Sequence, residues 1–299
     1  MSSDHPLLSI VTPAYNRGPL LKNCFDSLRA QTDLDFEWIV VDDGSTDTTA
    51  EILQGFLENK PEFPVQLVCK ENGGKHTALN ASHPYIHGEY VLILDSDDTL
   101  TPDAVAQVRS GVESYMSLPQ VGMVTFLKGS SQNDPKCYAQ DEGVPVDIMR
   151  YRRTCVHSSD CCEVIPKELF LKYPFPEFPG ERFLSEGALW NRISFTHKCV
   201  YVNRVIYLCE YLEGGLSKSG KPLRIRNPYG GMYTSNLNMN RKNFLVRRIK
   251  NGLLYTCYGC FAGLTPLQMA KKCDSKALMW LCLPFGWLLK GYWKRKYMK

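Results

Sequence analysis

The sequence has no apolar segment ahead of Ser9, so no secretory signal peptide is expected. It has no internal repeat and no low-complexity tract, which argues against a solenoid or a disordered linker. Its twelve cysteines lack the spacing of a disulfide framework. Adjacent Cys161 and Cys162 cannot easily bridge each other, and Cys257-Tyr258-Gly259-Cys260 has no second pair to complete a zinc site. Reduced, structural cysteines in a reducing compartment are therefore expected. The uncharged run Ala277–Leu289 is too short to span a bilayer, which takes about 20 residues. Acids are nearly missing from the C-terminal part. From Arg241 onward there are thirteen Lys and Arg and one acid, Asp274, whereas the first 240 residues hold 22 basic and 30 acidic groups.

The rest of the composition is ordinary for a globular protein, and 299 residues can bury one large core or a domain with an appendage. The N-terminal part repeats one pattern. Leu7–Thr12 reads as a strand, then the loop Pro13-Ala14-Tyr15-Asn16-Arg17, then a helix with Leu20, Leu21, Cys24, Phe25 and Leu28 on one face. Phe36–Val41 is a second strand, ending in Asp42-Asp43-Gly44-Ser45-Thr46-Asp47, and Thr48 to Glu51 has the spacing of a capping box. Val65–Cys69 is a third strand, followed by Gly73-Gly74-Lys75-His76, whose spacing is not that of a P-loop. The apolar run Val91–Leu94 ends in Asp95-Ser96-Asp97-Asp98, with Thr101-Pro102 placed to start the next helix. Strands that end in polar loops and lead into helices are the grammar of a doubly wound, mostly parallel α/β sheet. Such sheets bind ligands at the carboxyl ends of their strands. Carboxylates gathered there are costly unless neutralised, and a hard divalent cation is the natural counter-ion. On the motif alone, an acidic turn before a helix is an equal reading.

Four segments in this order and spacing resemble family 2 glycosyltransferases: Ser9–Asn16, Val40–Asp47, Asn72–Asn80 and Leu94–Asp98. The resemblance covers roughly residues 5 to 215, and the Gly-Gly-Lys-His-Thr-Ala-Leu-Asn variant is similar to a bacterial surface-polysaccharide subgroup. It implies a GT-A fold, a nucleotide-activated sugar, UDP-linked because the family's uracil-cradling positions are matched, a Mn²⁺ or Mg²⁺ cofactor, and inversion at the anomeric carbon. It also assigns roles. Pro13, Tyr15 and Asp43 cradle the uracil, Lys75 offsets diphosphate charge, Asp95 and Ser96 contact the donor with Asp95 on the ribose, and Asp97 holds the metal. Asp98 reads as a helix-approach residue, and His76 as either a donor contact or a helix-face residue. Where many relatives have Ala-Arg-Asn, this chain has Ala78-Leu79-Asn80.

An inverting transfer needs a carboxylate to deprotonate the acceptor hydroxyl. Many relatives carry a Glu-Asp pair for this; the matching stretch Phe183–Trp190 has Glu186 followed by Gly187, which leaves Glu186 as the candidate, at the start of a helix, with Glu163 and Glu181 in reserve. The glycine-rich segment Glu210–Gly220 is either a surface loop or one that closes over the donor. No third metal ligand is identifiable.

The basic end carries Trp280, Trp287, Tyr292, Trp293 and Tyr297 among Lys290, Lys294, Arg295, Lys296 and Lys299. Aromatics and cations beside a short apolar run suit an anionic membrane surface; a helix packed on the body or on a second subunit is the plainer alternative. No recognised nucleic-acid fold accompanies the charge, so no nucleic-acid partner is expected. The expected organisation is a GT-A domain over residues 1–220 (1–125 for the nucleotide-sugar, 126–220 for the acceptor) and a helical, basic, membrane-associating region over 221–299. The expected function is sugar transfer from a nucleotide-sugar to a lipid-linked or growing glycan, by a cytoplasmic protein peripheral on the inner face of the plasma membrane. The rival readings are a sugar nucleotidyltransferase, against which the loop Pro13–Gly18 lacks the required glycines, and a non-catalytic nucleotide-sugar-binding membrane protein. Sugar, acceptor and oligomeric state stay open.

Overall fold

The computed structural model describes residues 5–149, 151, 161–209 and 216–298. The chain divides into two compact units: Met1–Pro174 with Thr196–Glu210, and Phe175–Phe195 with Tyr211–Lys299. This is not the single cut expected near 220, because the segment that carries Glu186 groups with the C-terminal helices.

The first unit opens with the expected alternation: β1 (Leu8–Ala14), α1 (Gly18–Arg29), β2 (Phe36–Asp42), α2 (Thr49–Glu58), β3 (Val65–Cys69), α3 (Lys75–Ala81) and β4 (Tyr90–Ile93). These strands are parallel in the order β3-β2-β1-β4. Every residue of β1 and β2 is buried, as central strands covered on both faces require. Helix α1 buries Leu21, Cys24, Phe25 and Leu28, and the Phe25 ring stacks on Phe56 of α2 at 4.1 Å. Beyond β4 the sheet becomes mixed. It continues through β5 (Thr99–Leu100), β6 (Val121–Ser131), β7 (Asp134–Pro135), β8 (Cys161–Pro166) and β9 (Lys198–Leu208), in the order β4-β8-β6-β9-β5 with β7 beside β6. Strand β8 is antiparallel to both β4 and β6, while β9 runs parallel to β6. Helices α4 (Ala104–Tyr115) and α5 (Lys167–Lys172) complete the unit.

Two helix starts differ from the sequence reading. Thr48 makes no capping bond; Asp47 accepts from the Thr49 backbone N–H at 3.0 Å instead. The Thr101 hydroxyl donates to Asp103 and α4 begins at Ala104, because Thr99 and Leu100 pair with β9 and keep the chain extended.

The second unit holds α6 (Gly187–Ile193), α7 (Leu216–Arg226, broken at Gly220), α8 (Pro228–Asn238), α9 (Leu245–Phe261), α10 (Pro266–Lys271) and α11 (Lys276–Tyr297). Its core includes Met232, Tyr255, Cys257, Tyr258, Met279 and Trp293. Helices α9 and α11 approach closely at glycines. A Cβ on Gly286 would lie 1.9 Å from Thr256 Oγ1, and one on Gly252 2.7 Å from Cys282 Sγ. Among the described residues, no helix is long and apolar enough to cross a membrane.

Candidate active site

Because β1 lies between β2 and β4, the loops leaving these three strands are neighbours. Asp43 N–H donates to the Ala14 carbonyl (2.8 Å) and Leu94 N–H to that of Val11 (3.0 Å), which carries the pairing to the strand ends. The loops are also clipped together. Asn16, at φ +51°, donates its N–H to Ser45 Oγ (2.9 Å) and accepts from Thr46 N–H (2.8 Å). Asn16 was not singled out in the sequence; its short amide tolerates the left-handed backbone this turn requires.

Pro13 is buried inside β1, opposite Val41, while Tyr15 just beyond it is 43% exposed and offers a ring face at the strand end. Asp43 does something other than the sequence suggested. Its carboxylate accepts from Gly73 N–H (2.9 Å), Gly74 N–H (2.6 Å) and the Lys70 ammonium (2.7 Å), with Asn72 Nδ2 at 3.3 Å. Four donors fill the lone-pair sites of one carboxylate. In this geometry Asp43 organises the Gly73-Gly74 loop. The loop needs both glycines: Gly74 sits at φ +92°, and a Cβ on Gly73 would meet Thr77 Oγ1 at 2.5 Å. It delivers Lys75 to the start of α3, where its ammonium pairs with Asp95. His76 is buried, so it is not an exposed donor contact.

After β4, the three aspartates have distinct surroundings. Burial works to raise the Asp95 pKa, but the charges of Lys75, Lys128 and Arg17 outweigh it and hold the group below its ordinary value. Asp97 lies 4.0 Å from Arg17 Nε, with its side chain a quarter exposed. Ser96 is buried between them. Asp98 is also buried and accepts from the Tyr207 hydroxyl at 2.8 Å. Burial, reinforced by the Asp95 charge, pushes its pKa up to about 7. The same hydroxyl accepts from the Asp95 backbone N–H at 2.9 Å, and Lys128 Nζ stands 3.8 Å from the Tyr207 ring centroid. Tyr207 on β9 thus staples the acidic turn. Neither Tyr207 nor Lys128 was found by sequence reasoning, since both lie on distant strands and carry no local motif.

Among the described residues, no three His, Cys, Asp or Glu side chains gather into a metal-ligand set. The donor chemistry still fits a divalent ion. Asp95 is paired with Lys75 and Asp98 with Tyr207, whereas Asp97 keeps only a long ion pair with Arg17. A hard cation held by one or two carboxylates, with substrate phosphates and water completing the shell, matches that arrangement.

Glu186 immediately precedes α6 in the second unit, half-buried at the helix start as expected. The reserve acids are placed otherwise. Glu181 accepts from Tyr229 N–H (2.6 Å) and Gly230 N–H (2.8 Å) and so caps α8. Glu163 is buried on β8 opposite Thr125. Residues 210–215 of the glycine-rich segment lie outside the described residues.

Residues 9–120 match the glycosyl transferase family 2 model. The chain is 44% identical over 100 residues to a chondroitin synthase of Pasteurella multocida, covering 33% of this chain but 10% of that protein, so it spans about a tenth of the synthase's length. It is 27% identical over 225 residues to the glycosyltransferase GlyG of Streptococcus pneumoniae, covering 71% and 73% of the two chains. Among solved structures, S. aureus TarS 1-349 in complex with UDP-GlcNAc superposes with a TM-score of 0.63 at 14% identity, over 93% of this chain and 80% of that one. The Pyrobaculum calidifontis mannosyltransferase PcManGT in complex with GDP-Man and Mn²⁺ gives 0.59 at 20% identity, over 96% and 81%. With the strand-end constellation and the sequence match in agreement, residues 9–120 are a glycosyl transferase family 2 domain on a GT-A fold.

Proposed function

We propose that the chain is an inverting glycosyltransferase. It moves a sugar from a nucleotide-sugar, a UDP-sugar, to a lipid-linked or growing glycan in bacterial surface-polysaccharide synthesis. The observation that carries this reading is the convergence of Tyr15, Lys75, Asp95 and Asp97 at the carboxyl ends of adjacent strands. Tyr15 stacks on the base, Lys75 meets the diphosphate and Asp95 the ribose. On donor arrival Lys75 exchanges the Asp95 carboxylate for phosphate oxygens, so the site's own ion pair stands in for the ligand. Asp97 holds a Mn²⁺ or Mg²⁺ ion, which when bound neutralises charge on the leaving nucleotide. Glu186 accepts the acceptor proton as its hydroxyl attacks. Synthase relatives such as the Pasteurella chondroitin synthase support a growing glycan as acceptor. The cationic, aromatic C-terminal end supports work at the inner face of the plasma membrane as a peripheral protein.

The test is transfer from radiolabelled UDP-sugars to acceptors in bacterial membrane extract, with Mn²⁺ or Mg²⁺ supplied and UDP release followed in parallel. Label should enter a glycan or lipid fraction, with the anomeric configuration opposite to the donor's. Retention of configuration removes the inverting mechanism. Absence of both transfer and UDP release across the common UDP-sugars, with metal present, overturns the donor assignment.

A further inference from the structure

Helix α11 is apolar on both sides. Its inner side buries Met279, Cys282, Gly286 and Trp293. Its outer side carries Trp280, Leu281, Phe285, Trp287, Leu288 and Tyr292, each between 45% and 73% exposed. A helix that is apolar all round is ordinarily covered all round, and exposed apolar patches mark interaction sites. Beside this face lies an open cleft of about 720 Å³, within the size range of small-molecule sites, about 300–1,000 Å³. It is lined by Leu264, Met269, Leu283, Trp287, Leu288 and Lys290, among others. Lys290 is the single charged residue of the lining, and Lys294, Arg295 and Lys296 follow on the next turn.

We infer that this cleft takes one acyl chain of an anionic phospholipid, whose headgroup is met by Lys290 and the cations after it. The inference deepens the membrane reading above and rests on it. Charge selects the occupant. Beyond residue 240 the only acid is Asp274 against thirteen cations, so two copies meeting through this face would bring like charges together. A lipid supplies what the face presents a need for: a long apolar chain and a negative head. Trp287 and Leu288 belong to both the cleft and the exposed face, so the cleft and the apolar face are continuous through these two side chains.

Tryptophan fluorescence of the full chain tests this, with brominated phosphatidylglycerol vesicles, brominated phosphatidylcholine vesicles and monomeric lysophosphatidylglycerol as probes. The phosphatidylglycerol vesicles should quench strongly, and Trp287→Phe should remove more of that quenching than Trp280→Phe. Lysophosphatidylglycerol below its micelle concentration should bind saturably. Leu288→Asp should weaken that binding by about tenfold or more, since it puts a charge in an apolar lining. Lys290→Glu should weaken it by about fivefold or more, the effect of one cation near an anionic surface. Leu281→Asp, outside the cleft, should weaken vesicle binding and leave lysolipid binding unchanged. Vesicle binding with equal quenching of Trp280 and Trp287 and no saturable lysolipid binding overturns the cleft and keeps the membrane reading. Saturable lysolipid binding without vesicle binding keeps the cleft and overturns the membrane reading. Loss of both overturns both, and so does self-association that shields Trp287 from a soluble quencher, which makes a second copy the occupant.

Discussion

The loops at the carboxyl ends of β1–β4 and the outer side of α11 treat charge in opposite ways. In the loops four carboxylates already have a counterpart in their own unit: Asp43 has Lys70, Asp95 has Lys75, Asp97 has Arg17, and Asp98 has the Tyr207 hydroxyl. Beyond residue 240 the cations of the sequence outnumber the acids thirteen to one, and α11 itself carries five cations and no acid. A site with internal pairs can exchange a pair for a ligand of the same sign, the phosphate taking the carboxylate's place on the cation, but the freed carboxylate then needs a new partner such as a ribose hydroxyl or a metal ion. A one-sided surface attracts the opposite sign from a distance and loses that attraction with salt. The first pattern suits specific binding and the second suits recruitment to an oppositely charged surface, as proposed above.

The largest expected break in this contrast comes from the chemical step. Glu186→Gln keeps the size and loses the basicity, and a general base contributes about 10²- to 10⁴-fold. Transfer rate should fall by about that factor while UDP-sugar affinity, read by calorimetry, stays within about a few-fold of the parent. A parallel loss in Glu163→Gln would move the base to β8. Next comes Asp97→Asn, which should abolish Mn²⁺ stimulation of both donor binding and turnover, with the thermal midpoint preserved. Full stimulation in that variant would remove Asp97 from the metal. A smaller effect is expected from Tyr207→Phe. Groups that orient a metal-holding segment typically contribute about 10–100-fold in metal affinity. The Mn²⁺ concentration for half-maximal activity should rise by about tenfold, while metal-free UDP binding holds. A Tyr207→Phe variant that loses only thermal stability would reduce the staple to packing.

The smallest effect sharpens the comparison from outside the site. At the other end of the strands, Glu37 accepts from Ser9 Oγ (2.5 Å), His87 N–H (2.6 Å) and Gly88 N–H (3.0 Å), and its second oxygen bonds the His87 ring at Nδ1 (2.9 Å). Burial opposes its ionisation, yet these bonds together lower its pKa below the ordinary 4.5. A lowered carboxyl pKa adds stability above the unfolded value, and that stability is lost as pH falls through the folded value. The melting-temperature gap between the parent and Glu37→Gln should therefore be widest at neutral pH and close in the acid limb. A gap that is flat with pH would mean that the carboxylate's charge contributes nothing there.

Local signals in the sequence were enough for what is local in the structure. The strand Val65–Cys69 stands where its apolar run placed it, and α1 buries Leu21, Cys24, Phe25 and Leu28 of the expected face. The loops with glycine and acid pairs follow the strands that were read before them. What stayed hidden depends on partners far along the chain. Thr101 lost its capping role because β9, about a hundred residues later, captures Thr99 and Leu100. Asp43 read as a ligand contact because its motif sits at a strand end; that Gly73, Gly74 and Lys70 would saturate it follows from a loop thirty residues on. Tyr207 is one aromatic in a long apolar strand, and nothing in its neighbours marks the hydroxyl that reaches Asp95 and Asp98. The grouping of 175–195 with the C-terminal helices has no compositional edge at all.

The missing side chains at Gly252 and Gly286 make α9 and α11 a keyed joint. A Cβ added at Gly286 would meet Thr256 Oγ1 at 1.9 Å and one added at Gly252 would meet Cys282 Sγ at 2.7 Å, so the two helices hold this spacing only while both positions lack a side chain. The compass bearing of α11 is thus set by atoms that are absent. In this packing the outer apolar residues of α11 are exposed rather than folded inward. For the lipid surface inferred above, ionic strength and the density of anionic headgroups would then set attachment, acting on the charges of the last turn.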